Sequence, residues 1–506
     1  MIRPTLSLGF CFIASLAAAA ELDPWFGDGM VLQREQPIRI IGKAQPNSQV
    51  TVRLGKQTAL AMTDGTGRWE QAFAPRTANS QPTTLTVQEA GRPDVSVRDI
   101  LMGDVWVCAG QSNMEFPLSR DVEAKQELAN ANLPLIRLRN HSFAGQYRSA
   151  APLDATMVAR MTVTNFYAGR WESCTPKAAA PMSAVGYYFS KRVTADTAVP
   201  IGLVNYAVGG APIEAFISRE ALAKSAVFRK KVTGNWLTNE SIEGSFVRLR
   251  AQQHLSGAKD APNDDCGPNH GFKPGFAWAA GPAQATRFAI KGVLWYQGES
   301  NAIRQEDIAE YGALMKLLVA DWRQHWHQAD LPFYWVQLPS INEPARQFWP
   351  EFREVQRQLT TEITGSGMAV ALDVGTPKDV HPRNKRPVGE RLAALALRDL
   401  YGRKDLIAEG PVAIDARQAG KTIRVRFRSA DGLTLVGPPT PLVETRQKGA
   451  ADFKAARETR VEGNELVVET DGLVVELRYA WHMNAAAAVR NGAGLPAGPF
   501  VLKVSE

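Results

Sequence analysis

The chain has 506 residues, of which 45% are hydrophobic and 22% charged. One core does not organise that length, so two to four domains are expected, and the composition excludes disordered and fibrous classes. A net charge of +7, from 58 Lys and Arg against 51 Asp and Glu without a long basic run, describes a solvated basic surface and no nucleic-acid partner.

The opening MIRPTLSLGFCFIASLAAAA carries one Arg, an apolar stretch and a small-residue end. It reads as a secretory signal peptide over 1–20, cleaved near Ala20. Cys11 follows Phe10 rather than a small residue, which argues against a lipid anchor. No later run approaches the roughly 20 apolar residues of a membrane span. The expectation is an exported soluble protein, periplasmic or extracellular, with no membrane anchor. Its remaining thiols are Cys108, Cys174 and Cys266, enough for one bridge. Cys174 and Cys266 are the expected pair, because Cys108 sits in an apolar strand. Neither a disulfide scaffold nor a metal site is expected, and the oligomeric state is left open.

Over 21–99 the short runs IRIIGKA, VTVRL, TALAMTD and TTLTVQEA are cut by QPN, DGTG and NSQP. That spacing predicts an antiparallel β-sandwich, with Trp25, Phe26 and Trp69 packing its core or, failing that, facing a glycan. Over 100–405 the texture changes to unalternated apolar runs: VWVCAG (105–110), IGLVNYAV (201–208), FAIKGVLWY (288–296), PFYWVQL (332–338) and GMAVALDV (367–374). Helical periodicity falls between them, at 183–197, 308–325, 349–363 and 385–400. Buried strands alternating with helices predict an α/β fold with a doubly wound parallel sheet. A Gly-, Asn- and Asp-rich stretch near 225–275 reads as an insertion or lid. From 406 to 506 IRVRF, LTLVG, ELVVET and LVVELRYAW return to β texture, a C-terminal β module.

In an open α/β sheet the ligand sits beyond the carboxyl ends of the strands. The first core strand leads into CAGQSNMEF, which places Ser112 there, although Met114 stands where a nucleophile elbow has its second glycine. The second leads into Gly209-Gly210-Ala211-Pro212, the third into Gln297-Gly298-Glu299-Ser300-Asn301, and the fifth into TPKDVHPRNK with Asp379 and His381. A serine nucleophile needs a base. Of seven histidines, only His381 follows a core strand at this edge. Asp379, two residues earlier, faces the same side in an extended segment. The alternative, that both merely cap the following helix, stays open.

GQSNM, VGGAPIEAF, WYQGESNA and DVHPRNKRPVGERLA together resemble the sialate O-acetylesterase group of SGNH hydrolases. FGDGMVLQREQPIRIIGKA and LRYAWHMNA with NGAGLPAGPF extend the resemblance over nearly the whole mature chain. It implies an SGNH-type fold with Ser112 as nucleophile and His381 as base. It also implies an oxyanion hole from the N–H groups of Ser112 and Gly210, and no cofactor. Three departures stand out. The usual Gly-x-Asn-Asp block is replaced here, so the amide donor passes to Gln297 or, failing that, Asn301. One residue rather than two separates Asp379 from His381, leaving a Ser–His dyad open. Ala211 and Phe216 replace the Thr and Trp common in sialate esterases, which tilts the substrate toward plant polysaccharides. The expected activity is acetyl removal from an acetylated oligo- or polysaccharide, either hemicellulose such as xyloglucan and xylan or sialic acid. A lipid or aryl esterase and a non-catalytic carbohydrate-binding protein are the alternatives.

Overall fold

The computed structural model describes residues 20–437 and 442–506; the expected signal peptide falls almost wholly outside them. The molecule is a mixed α/β protein with several sheets. Its central parallel strands are β1 (Val95–Gly110), β2 (Leu133–Asn140), β3 (Ile201–Asn205), β4 (Gly292–Tyr296), β5 (Phe333–Val336) and β6 (Ser366–Ala369). They lie in the order β2-β3-β1-β4-β5-β6, every neighbouring pair parallel. Trp171–Cys174 adds an antiparallel edge beside β2. Every residue of β3, β4 and β5 is buried, which is why these runs are apolar without alternation.

The chain leaves β1 for β2, returns to β3, then crosses β1 to reach β4. That reversal opens a crevice at the carboxyl end of β1. Helices α1 (Ala184–Thr197), α2 (Gln305–Trp326), α3 (Trp349–Glu362) and α4 (Arg386–Leu400) stand within three residues of their sequence-derived bounds. Ser183 caps α1 by accepting from the Gly186 N–H at 3.2 Å, and Ala198 ends it in a left-handed conformation. α1 and α4 pack against each other, and α2 meets α3 through Tyr311 and Phe352, 4.3 Å between centroids.

Most N-terminal strands pair antiparallel, Val31–Gln33 runs parallel to β1, and they are not separated from the central sheet. The sixteen-residue β1 pairs with Asn79–Glu89 along its first half and with β3 and β4 along its second. Trp25, Phe26 and Trp69 are buried in the core that also fills the central sheet. The C-terminal strands enclose a second core, including Ile423, Val425, Leu466, Leu477 and Phe500. Cys108, Cys174 and Cys266 are all free and buried. The expected Cys174–Cys266 bridge is therefore corrected: each thiol is packed as a small apolar side chain.

Candidate active site

β1 delivers Ser112. Gly110 ends the strand at φ +127°, where a Cβ would lie 2.2 Å from the Tyr296 carbonyl of β4, so a glycine is required to bring the two strand ends together. The Gln111 N–H donates to that carbonyl at 2.9 Å, and the short helix Ser112–Glu115 begins at once. His381 arrives from the loop after β6, and its Nε2 lies 2.8 Å from Ser112 Oγ. The two are 269 positions apart in sequence.

Asp379 is near the imidazole but not tightly engaged. Its Oδ1 accepts the His381 backbone N–H at 2.8 Å and stands 3.5 Å from Nδ1, at the outer edge of hydrogen-bond reach. Its side chain is 53% exposed. Burial and the Lys385 ammonium hold the imidazole down at about 4, against the upward pull of Asp379. The ring is thus a neutral base across the ordinary pH range.

Gly210 lines the cavity beside Ser112, at φ +81° with Phe272 Cζ 2.8 Å from where a Cβ would be. The Gly209 N–H is taken by Glu115, whose carboxyl burial pushes up to about 7. Among the described residues no protein group accepts the N–H of Ser112 or of Gly210.

The two amides expected beside them lie behind the cavity wall. Gln297 Nε2 is spent on Asn301 Oδ1 at 2.7 Å and Gln111 Oε1 at 3.1 Å. Asn301 Nδ2 is spent on Glu214 at 3.0 Å. Neither residue lines the cavity. Gln111, missed in the sequence reading, does. Its Oε1 collects Gln297 Nε2, the Gly298 N–H at 3.3 Å and the Ser300 N–H at 3.2 Å. Three donors around one atom identify it as the oxygen, so the Nε2 end is left for the cavity. Its position in GQSN was the available signal. Glu299 is buried, its carboxyl pushed upward by desolvation, with Oε2 unpartnered at the wall.

The cavity over Ser112 has a volume of about 430 Å³. Phe246, Arg250, His254 and Phe272, from the Gly-, Asn- and Asp-rich stretch near 225–275, build one side of it. Glu243 sets this wall by accepting the N–H groups of Ser245, Phe246 and Val247 at 2.6–3.0 Å. Arg250 has no carboxylate partner among the described residues; its guanidinium stands over Phe246 and 3.5 Å from the Gly210 Cβ position. Ala211 and Phe216 are buried and do not line the cavity, which removes the basis for the tilt toward plant polysaccharides. Among the described residues no group of three or more His, Cys, Asp or Glu is arranged to hold a metal ion. No helix there is long and apolar enough to cross a membrane.

A family model described as a carbohydrate esterase, sialic acid-specific acetylesterase, matches residues 278–398. That span contains His381 and the Gln297–Asn301 block. The sialate O-acetylesterases of Mus musculus and Homo sapiens are each 26% identical to the chain, covering 99% and 100% of it and 98% of themselves. A solved carbohydrate acetylesterase from Xanthomonas citri is 29% identical, with a TM-score of 0.76 over 96% of this chain and 99% of that one. The chain is a carboxylic-ester hydrolase similar to sialate O-acetylesterases. In this esterase the serine block lies outside the matched span, just after β1, and only folding brings it to His381.

Proposed function

We propose that the protein is an exported carbohydrate O-acetylesterase of SGNH type, working through an acyl-enzyme on Ser112. The reading takes 21–99 as a β-sandwich, 100–405 as a doubly wound hydrolase domain and 406–506 as a C-terminal β module. The observation that carries it is the 2.8 Å contact between His381 Nε2 and Ser112 Oγ, placed beside the free N–H groups of Ser112 and Gly210. His381 takes the hydroxyl proton as Oγ attacks the acetyl carbonyl, then returns it to the departing sugar oxygen. The N–H groups of Ser112 and Gly210, with the Gln111 amide, hold the tetrahedral oxyanion. Water, deprotonated by the same imidazole, releases acetate. Asp379 steadies the ring from the rim.

The substrate is an acetylated sugar, of hemicellulose or of sialic acid. An unpaired Arg250 in the wall favours a sugar bearing a carboxylate. A lipid esterase fits less well, because the wall interleaves its aromatic rings with arginines. The test is acetate release from acetylated xylan, xyloglucan and sialic acids by the parent, Ser112→Ala and His381→Ala proteins. Release by the parent and at least about a hundredfold loss in both variants is expected. Parent-like release by Ser112→Ala would overturn the reading.

A further inference from the structure

Asp379 is half in solvent and grips the His381 loop only through the backbone N–H. The residue after the serine bonds the same loop from the buried side. Asn113 is fully buried and donates Nδ2 to the Val380 carbonyl at 2.9 Å and to Glu299 Oε1. Val380 immediately precedes His381. Asn113 Oδ1 accepts from Lys385 Nζ. Lys385 is 1% exposed, its ammonium 4.8 Å from the Phe116 ring centroid and 5.4 Å from that of Tyr296. Its own N–H is fixed by Asp121 Oδ2 at 2.9 Å. An ammonium only donates, so Lys385 dictates which end of the Asn113 carboxamide is oxygen and turns the amide end onto Val380.

We propose that Asn113 is the positioning residue that holds the His381 loop on Ser112, and that Lys385 acts both as the lock on Asn113 and as a fixed charge beside the imidazole. This rests on the Ser112–His381 reading above. The charged groups around His381 are Lys385, Asp379 and Arg120; those around Lys385 are Glu299, Asp121, Asp379 and Arg120. Burial depresses the imidazole first and Lys385 second. Burial also brings Lys385 itself down to about 7, so it is charged wherever the imidazole titrates. Removing that charge raises the imidazole, and the pH below which activity is lost rises with it.

The experiment measures kcat and KM of the full chain on p-nitrophenyl acetate from acid to neutral pH, for parent, Asn113→Asp and Lys385→Met. Asn113→Asp is isosteric and keeps an oxygen for Lys385 while removing the donor to Val380. Lys385→Met exchanges a buried charge for an apolar chain of similar length and leaves Asn113 Oδ1 and the Glu299 carboxyl without it, which lowers stability; melting curves verify that both variants stay folded at the assay temperature. Asn113→Asp is expected to lower kcat about 10²-fold with KM nearly unchanged, as a displaced base does. Lys385→Met is expected to move the acid limb of kcat/KM upward by about one pH unit or more, toward the ordinary histidine value. A parental acid limb in Lys385→Met, or a parental kcat in Asn113→Asp, overturns the proposal. An active Ser112→Ala control would instead sink the reading beneath it, so the two failures are told apart.

Discussion

At the scale of single residues, the proposed oxyanion donors separate the readable from the hidden. The N–H groups of Ser112 and Gly210 came from the resemblance, and among the described residues no protein group accepts either of them. A side-chain amide is identified by where it points, and three amides stood in candidate blocks: Gln111, Gln297 and Asn301. The interior hydrogen bonds of Gln297 and Asn301 leave Gln111 facing the cavity. Gln111→Leu is expected to lower kcat by roughly 10²–10³ with a small change in KM, read by steady-state kinetics on an acetylated sugar. Asp379→Asn keeps an acceptor for the His381 N–H. Because its contact with Nδ1 is 3.5 Å and solvent-exposed, the expected cost is about tenfold in kcat. A fully engaged triad acid would cost ~10⁴, so the same assay separates the two arrangements.

At the scale of elements, long periodic helices and all-apolar strands were placed well, and β2 was missed. Its sequence LPLIRLRN carries Arg137 and Arg139 and looks like surface. Both are buried because each guanidinium finds partners elsewhere in the fold. Arg137 pairs with Asp99 and bonds Ser173, while Arg139 donates to the Trp25 and Pro24 carbonyls at 2.6 and 2.9 Å. The Gly-, Asn- and Asp-rich stretch near 225–275 was read as an insertion or lid, and which of its side chains line the cavity was not visible. Its wall residue Arg250 makes a specific expectation. Arg250→Gln should lower kcat/KM on carboxylate-bearing acetylated sugars by about tenfold relative to neutral ones, the worth of one charge-assisted contact. The ratio between an acetylated sialic acid and an acetylated xylo-oligosaccharide measures it, and an unchanged ratio counts against an acidic substrate.

At the scale of the whole molecule, buried neutral imidazoles link the fold to pH. His141 accepts from Arg139 Nε at 3.1 Å and stacks on Tyr206. His270 bonds His254 Nδ1 at 2.9 Å. Burial holds His141 and His270 each down at about 3. A folded value below the unfolded 6.5 means that their contribution is complete above pH 6.5 and is lost as pH falls toward 3. The melting temperature is therefore expected to decline through that window, and a flat profile between pH 6.5 and 4 in calorimetry would contradict it. The sequence by itself determined the alternation of strand and helix and the blocks at the carboxyl edge, because periodicity and glycine requirements are local. The resemblance carried by those blocks supplied the choice of Ser112, Gly210 and His381, of which folding brings Ser112 and His381 to 2.8 Å. Only the tertiary structure decided which amide faces the cavity and how far Asp379 stands from its imidazole. The same holds for the unbridged cysteines and for β1 running unbroken from the N-terminal sheet into the central one. Each of these depends on distances between groups tens or hundreds of residues apart, set by packing that no local pattern encodes.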